Sequence, residues 1–178
     1  MRTVTTRKSQ KRYIETSALL AALLENDREA REEIRAPGLR ITSALTIAEA
    51  NRALIRARAT GRIDAKAERA AVRGVQTFAR RCEIVAVSDE ILNRVGRPFP
   101  VEPIRTLDAI HIATAELLGD PPPLMLFITR DKRVADNARA LGYQVEDNRF
   151  IGRGKGMFEA GDEIISPIAP DWEEGHDT

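Results

Sequence analysis

Four acidic residues, Glu15, Glu49, Asp108 and Asp131, lie far apart in the chain, yet each falls at or soon after a stretch that reads as a strand. Those stretches are Tyr13-Ile14-Glu15-Thr16-Ser17, Thr42 to Glu49, Arg105 to His111, and Ile128-Thr129-Arg130-Asp131. Parallel sheets collect functional groups at the carboxyl ends of their strands. Carboxylates gathered there repel and raise one another's pKa unless a cation compensates them. Oxygen donors are hard ligands and select Mg²⁺ or Mn²⁺ over the metals that nitrogen and sulfur attract. An ion held this way lowers the pKa of a bound water and clamps phosphoryl oxygens, which is hydrolytic chemistry.

Each residue also has a plainer account. Asp108, with Thr106 as the expected cap, falls in a first helical turn, where the macrodipole favours an anion. Asp131 is suited to cap a helix. Glu49 can pair with Arg52 three residues on. The Thr129 hydroxyl can orient a water or a neighbouring carboxylate, or simply steady a turn. His111, one turn after Asp108, reads as a packed or hydrogen-bonded helix residue sooner than as a general acid or base. The cations Arg105, Arg130, Lys132 and Arg133 flank the two aspartates, where they can neutralise phosphates at a cleft rim or remain solvated.

The elements that must position these groups alternate. Arg12 to Ile14 reads as a short buried strand, with Thr16 or Ser17 placed to cap the apolar helix that follows. A charged helix from Asp27 to Arg35 ends at Pro37-Gly38, and Leu39 to Thr42 returns as a strand. Leu45 to Thr60 is a helix closed by Gly61, and Asp64 caps another that runs to Arg80. Glu83 to Val87 is a strand, Ser88 caps Asp89 to Val95, and a helix follows from Leu107 to about Leu118. Leu124 to Ile128 is the most apolar strand, Asp131 opens a helix to Leu141, and Tyr143 to Val145 closes the series. Such alternation predicts an α/β fold, a twisted and mainly parallel sheet flanked by helices on both faces.

Composition narrows the function. At 178 residues and 43% hydrophobic content the chain supports one substantial core. Aromatic residues make up 4%, which disfavours nucleic-acid binding by base stacking on an aromatic platform. One cysteine, Cys82, and two histidines exclude an internal disulfide and a zinc cluster, in keeping with a reducing cytoplasm. The basic start followed by Ala18 to Leu24 imitates a signal peptide, but Glu25-Asn26-Asp27-Arg28 stands where a small-residue cleavage site belongs. No stretch is long enough to span a bilayer. The organisation expected is a basic tail over 1–11, a folded domain over 12–147, and a Gly-rich then acidic extension over 148–178. A short edge strand is expected at Ile164 to Ile168. The net charge of +1 hides opposed ends, because the chain after Phe158 carries acids and no Lys or Arg. The plain reading is two solvated tails, and the sharper one sets the acidic tail against a cationic substrate surface. Neither a Walker-type phosphate loop nor a dinucleotide fingerprint is present.

The motifs resemble those of PIN-domain ribonucleases, specifically the VapC-type toxins of type II toxin-antitoxin pairs. The resemblance rests on Tyr13 to Leu19, Leu45 to Glu49, Arg105 to Ala115, Thr129 to Val134 and Ala138 to Gly142, in the family's order. It implies a doubly wound sheet, Glu15, Glu49, Asp108 and Asp131 as both metal ligands and catalytic residues, Mg²⁺ or Mn²⁺ as cofactor, and hydrolysis of RNA phosphodiesters. It also implies a homodimer and a VapB-type antitoxin seated as a helix in a groove. Arg52 and Arg56 are further candidates for contacts with RNA or antitoxin. One departure stands out: members of the family usually carry Asp where this chain has Glu15. The longer side chain must retract or let the ion shift, because Mg²⁺ demands near-ideal distances of about 2.0–2.1 Å. The alternative reading is therefore a catalytically weakened RNA-binding or regulatory protein on the same fold. An aspartyl phosphotransferase, the other α/β class rich in acids, needs an Asp directly after the first strand, where this chain offers Glu15-Thr16-Ser17.

Overall fold

A computed structural model describes residues 10–147. Most of the basic tail, the extension over 148–178, its expected edge strand at Ile164 to Ile168 and the proposed docking of its acids lie outside the described residues. The chain forms β1 (Lys11–Ile14), α1 (Thr16–Leu24), α2 (Arg28–Arg35), β2 (Leu39–Ser43), α3 (Ala44–Ala59) and α4 (Ala65–Arg80). It continues as β3 (Glu83–Val85), α5 (Asp89–Val95), α6 (Thr106–Leu117), β4 (Met125–Ile128), α7 (Lys132–Ala140) and β5 (Gln144–Glu146).

The five strands lie in the order β3-β2-β1-β4-β5 and every pairing is parallel. Because both faces are covered, β4 is buried along its whole length and β1 and β2 toward their carboxyl ends, instead of alternating between buried and exposed residues. Ile14, Leu126 and Ile128 join one core with α1, α2, α3 and α4, while Tyr13, Met125 and Phe127 join the other with α5, α6 and α7. From β1 the chain winds outward through β2 to β3, then crosses back to place β4 on the opposite side of β1. The winding direction thus reverses between β1 and β4, and a crevice opens beyond their carboxyl ends.

Local chemistry sets the element boundaries. Asp27, Asp64, Ser88 and Asp131 each cap a helix through a side-chain oxygen, as their types predict. Gly61 ends the α3 turn at φ +71°, a conformation that costs other residues strain. In α4, Gly74 lets the helix lie directly on Leu23 of α1, since a Cβ there would come within 2.6 Å of the Leu23 side chain.

Two caps differ from expectation. Neither Thr16 nor Ser17 caps α1; Glu15 does, curling its carboxylate back to accept from the Ser17 amide. Thr106 begins α6 instead of capping it, and the cap position belongs to Arg105, which makes no side-chain bond there. Asp108 remains in the first turn. Leu124 leaves the strand expected of it for a short 3-10 turn over Pro122–Leu124, where it is exposed.

Candidate active site

Glu15 leaves the end of β1 and Thr129 the end of β4, so the first acid sits on the crevice at the sheet's switch point. The two strands are locked there, the Glu15 amide donating to the Ile128 carbonyl at 3.0 Å. Glu15 is 5% exposed. A carboxylate so deeply buried needs donors, and its Oε2 accepts from the Ser17 amide at 3.0 Å, from the Ser17 hydroxyl, and from Thr129 Oγ1 at 2.8 Å. The side chain thus folds back onto the start of α1. Oε1 lies 3.8 Å from His111 Nε2.

Glu49 comes in from α3, one turn past β2. The surface pair with Arg52 is not what holds it. Its Oε2 accepts from the Thr16 hydroxyl and meets His111 Nε2 at 2.9 Å. His111, fully buried on α6, is fixed at its other nitrogen by the Tyr13 hydroxyl, 3.1 Å from Nδ1. Burial acts to lower the His111 pKa, but the bond to Glu49 and the charges of Glu15, Glu49 and Asp108 outweigh it and raise it. Glu49 shifts in the complementary direction: burial works against its charge, yet the bonds from His111 and Thr16 hold its carboxyl below the usual range. Among the described residues, Glu15, Glu49 and His111 each offer a ligand atom within 4.8 Å of the others.

Asp108 and Asp131 stand outside that trio but within its field. Asp108 Oδ2 is buried and accepts no hydrogen bond. Partial burial, then the like charges of Asp131 and Glu15, push its pKa up to about 6 against the weaker pull of Arg105 and His111. Asp131 spends Oδ1 on the amides of Arg133 and Val134, at 2.7 and 3.3 Å. Its own amide donates to Thr129 Oγ1 at 3.0 Å, so this one hydroxyl joins the segments that carry Glu15 and Asp131. Carboxylate oxygens of one sign, buried at Glu15 and half-buried at Glu49, Asp108 and Asp131, one of them without a partner, suit a hard divalent cation. The residues present therefore fit Mg²⁺ or Mn²⁺.

The flanking cations divide. Arg130 is not the phosphate-facing guanidinium expected from its position beside Asp131. Its head is largely buried and bound to Asp27 at 2.9 Å and Glu33 at 2.8 Å, tying the loop after β4 to α2. The Arg130 amide donates to the Ser17 hydroxyl at 2.7 Å. Lys132 is exposed and paired with Asp136 one turn along α7. Arg105 and Arg133 are exposed. Arg133, Lys132 and Asp131 line a groove of about 550 Å³ whose other wall is Val101 to Pro103.

Sequence reasoning passed over Ser17 as anything but a cap and gave His111 no part in holding an acid. A run of two hydroxyl residues directly after a strand-end carboxylate was the available signal for Ser17.

A family model described as PIN domain matches residues 12–140. The chain belongs to the PIN-domain family, and its similarity within that family is to VapC proteins. Ribonuclease VapC35 of Mycobacterium tuberculosis is 35% identical over 141 residues, covering 75% of this chain and 93% of the relative. Ribonuclease VapC46 of the same organism is 36% identical over 135 residues, covering 75% and 94%. Two solved structures share the fold. VapBC2 from Rickettsia felis, bound to a DNA fragment from its promoter, superposes with a TM-score of 0.54 at 14% identity over 76% of this chain and 97% of that one. VapC20 of Mycobacterium tuberculosis, a sarcin-ricin loop cleaving toxin, gives 0.53 at 16% over 74% and 95%.

Proposed function

We propose that this chain is a Mg²⁺- or Mn²⁺-dependent endoribonuclease, the toxin of a toxin-antitoxin pair. The observation that carries the reading is the buried, unpartnered Asp108 Oδ2 in the field of Glu15 and Asp131. An uncompensated acceptor beside like charges is costly unless a cation completes the site. Glu15, Glu49, Asp108 and Asp131 would hold the ion. When bound, it supplies an activated water and neutralises charge on the phosphoryl oxygens.

The chain's other residues prepare those acids. His111 and Thr16 fix Glu49, while Ser17 and Thr129 hold one oxygen of Glu15 and leave Oε1 for the centre. Thr129 also sets the backbone of Asp131. Arg105, Arg133 and Lys132 receive substrate phosphates on one side of the cleaved bond. The fold-back of Glu15 supports activity over the weakened alternative, because the carboxylate retracts by the means its length requires. The names of its VapC relatives support RNA as substrate.

A VapB-type antitoxin is the expected partner, a homodimer the expected assembly and the cytoplasm the expected compartment. No helix among the described residues is long and apolar enough to cross a membrane. The test is a titration of Mn²⁺ and Mg²⁺ against a panel of structured RNAs. Cleavage that requires the ion and disappears in Asp108→Ala is the expected result; cleavage no greater than that of the variant would end the nuclease reading. Light scattering on the purified chain, alone and with the product of a neighbouring short reading frame, tests the assembly.

A further inference from the structure

Positions i, i+3 and i+7 share one edge of a helix, and on α3 those positions, counted from the site, are Glu49, Arg52 and Arg56. The stripe α3 turns to the core is Thr46, Ala50, Leu54 and Ala57, so this edge runs beside the core and begins in the acidic centre. At 1.5 Å per residue, Arg52 lies about 4.5 Å and Arg56 about 10.5 Å along the axis from Glu49. Both are exposed. Neither has an ion-pair partner among the described residues, whereas Arg58 and Arg62, further along the chain, meet Glu68 and Glu25. In the sheet order, β4, which leads to Arg133, and β2, which leads to α3, lie on opposite sides of β1, and Arg105 and Arg133 are likewise exposed with no ion pair among the described residues. An anionic centre with open guanidinium groups leading away on two sides matches a polyanion that crosses it, more than a small anion that ends in it. Guanidinium groups bind phosphate through paired hydrogen bonds, which suits Arg to such a line.

We infer that Arg52 and Arg56 form a phosphate track along α3, and that the substrate is an extended RNA strand. Its backbone enters past Arg105 and Arg133, crosses the acids, and leaves along α3. This rests on the ribonuclease reading and adds to it a direction and a minimum length, since a dinucleotide held at the acids falls short of Arg56.

The experiment measures binding of a fluorescent, cleavage-resistant phosphorothioate oligoribonucleotide to the full chain in Mg²⁺ over a range of salt. The proteins compared are wild type, Arg52→Ala/Arg56→Ala, and Lys66→Ala/Arg69→Ala, which removes equal charge from the exposed face of α4. Each phosphate contact on a single strand contributes about 0.7 to the slope of log affinity against log salt. The track variant is expected to lose about 1.4 of slope and about tenfold in affinity at low salt, while the α4 variant stays near wild type. Cleavage of a dinucleotide is expected to fall less in the track variant than cleavage of the oligoribonucleotide. Equal loss in both variants, or no loss in the track variant, overturns the track while leaving the nuclease reading intact. If polyglutamate binding falls in the track variant and RNA binding does not, the edge serves an acidic protein partner and the proposal is wrong. Wild type that neither binds nor cleaves RNA overturns the reading and the track together.

Discussion

The two halves of the acidic centre are built on opposite terms. Glu15 and Glu49 are supplied with donors: Ser17 and Thr129 for one, His111 and Thr16 for the other. Asp108 is left with a buried oxygen that accepts no hydrogen bond. The first half is fixed by the fold before any ligand arrives, since a satisfied network holds its side chains in place. The second half carries the site's electrostatic debt. On the metal-dependent reading, rigidity and affinity for a cation come from different residues, and substitutions in the two halves separate them.

The largest effect belongs to Asp108→Asn. RNA cleavage is expected to fall by about 100-fold or more, on the scale of losing a group aimed at developing charge, while the metal-free protein becomes more stable. The sign follows from linkage. With its folded pKa at about 6, above the unfolded value, Asp108 binds its proton more tightly in the folded state. Its contribution is most favourable below the unfolded pKa and is lost as pH rises through about 6. Removing the charge recovers about 1 kcal/mol at neutral pH once solvent screening is allowed for, a rise in Tm of about 2–4 °C. Thermal melts in EDTA check this, and a lower Tm than wild type would refute the account of Asp108.

The opposite half answers with the opposite sign. His111→Leu keeps most of the volume but strips Glu49 of a partner and leaves the buried Tyr13 hydroxyl without its His111 contact. A loss of about 2–4 kcal/mol is expected, with or without metal, measured by urea denaturation. A stability loss that vanishes in EDTA would place His111 in the metal-binding half instead.

Proton competition sharpens the contrast further. Ion binding must displace the proton from Asp108, so Mn²⁺ affinity is expected to weaken by up to about tenfold per pH unit below about 6. Calorimetry from pH 5 to 7 tests it. Asp108→Asn should flatten that dependence.

The smallest effect is expected at the rim. Lys132→Ala breaks an exposed pair one turn apart and should change stability by less than about 0.5 kcal/mol. A larger change in urea denaturation would show that the rim supports the centre mechanically.

Much of this arrangement was legible in the chain. Strand and helix alternation, with Asp27, Asp64, Ser88 and Asp131 at helix starts, placed nearly every element within a few residues, because capping and apolar periodicity are local signals. The strand ends that carry Glu15 and Thr129 were marked as well, but the reversal of winding between β1 and β4 was not, because strand order depends on pairings between distant segments. Contacts that depend on distant partners were out of reach. Arg130 has the same appearance in sequence as Lys132, and only the fold brings Asp27 and Glu33, about a hundred residues earlier, against its guanidinium. His111 shows the same limit: nothing near it in sequence announces Glu49 or Tyr13. Thr106 failed as a cap for a subtler reason, because a hydroxyl one residue inside a helix start reads the same as one just before it.

The bond between Thr129 and Glu15 spans 114 positions and joins the first strand to the fourth. A ribosome making this chain therefore exposes Glu15 early and must add most of the remaining domain before the hydroxyl that holds it emerges. Until then the nascent polypeptide has no assembled acidic centre.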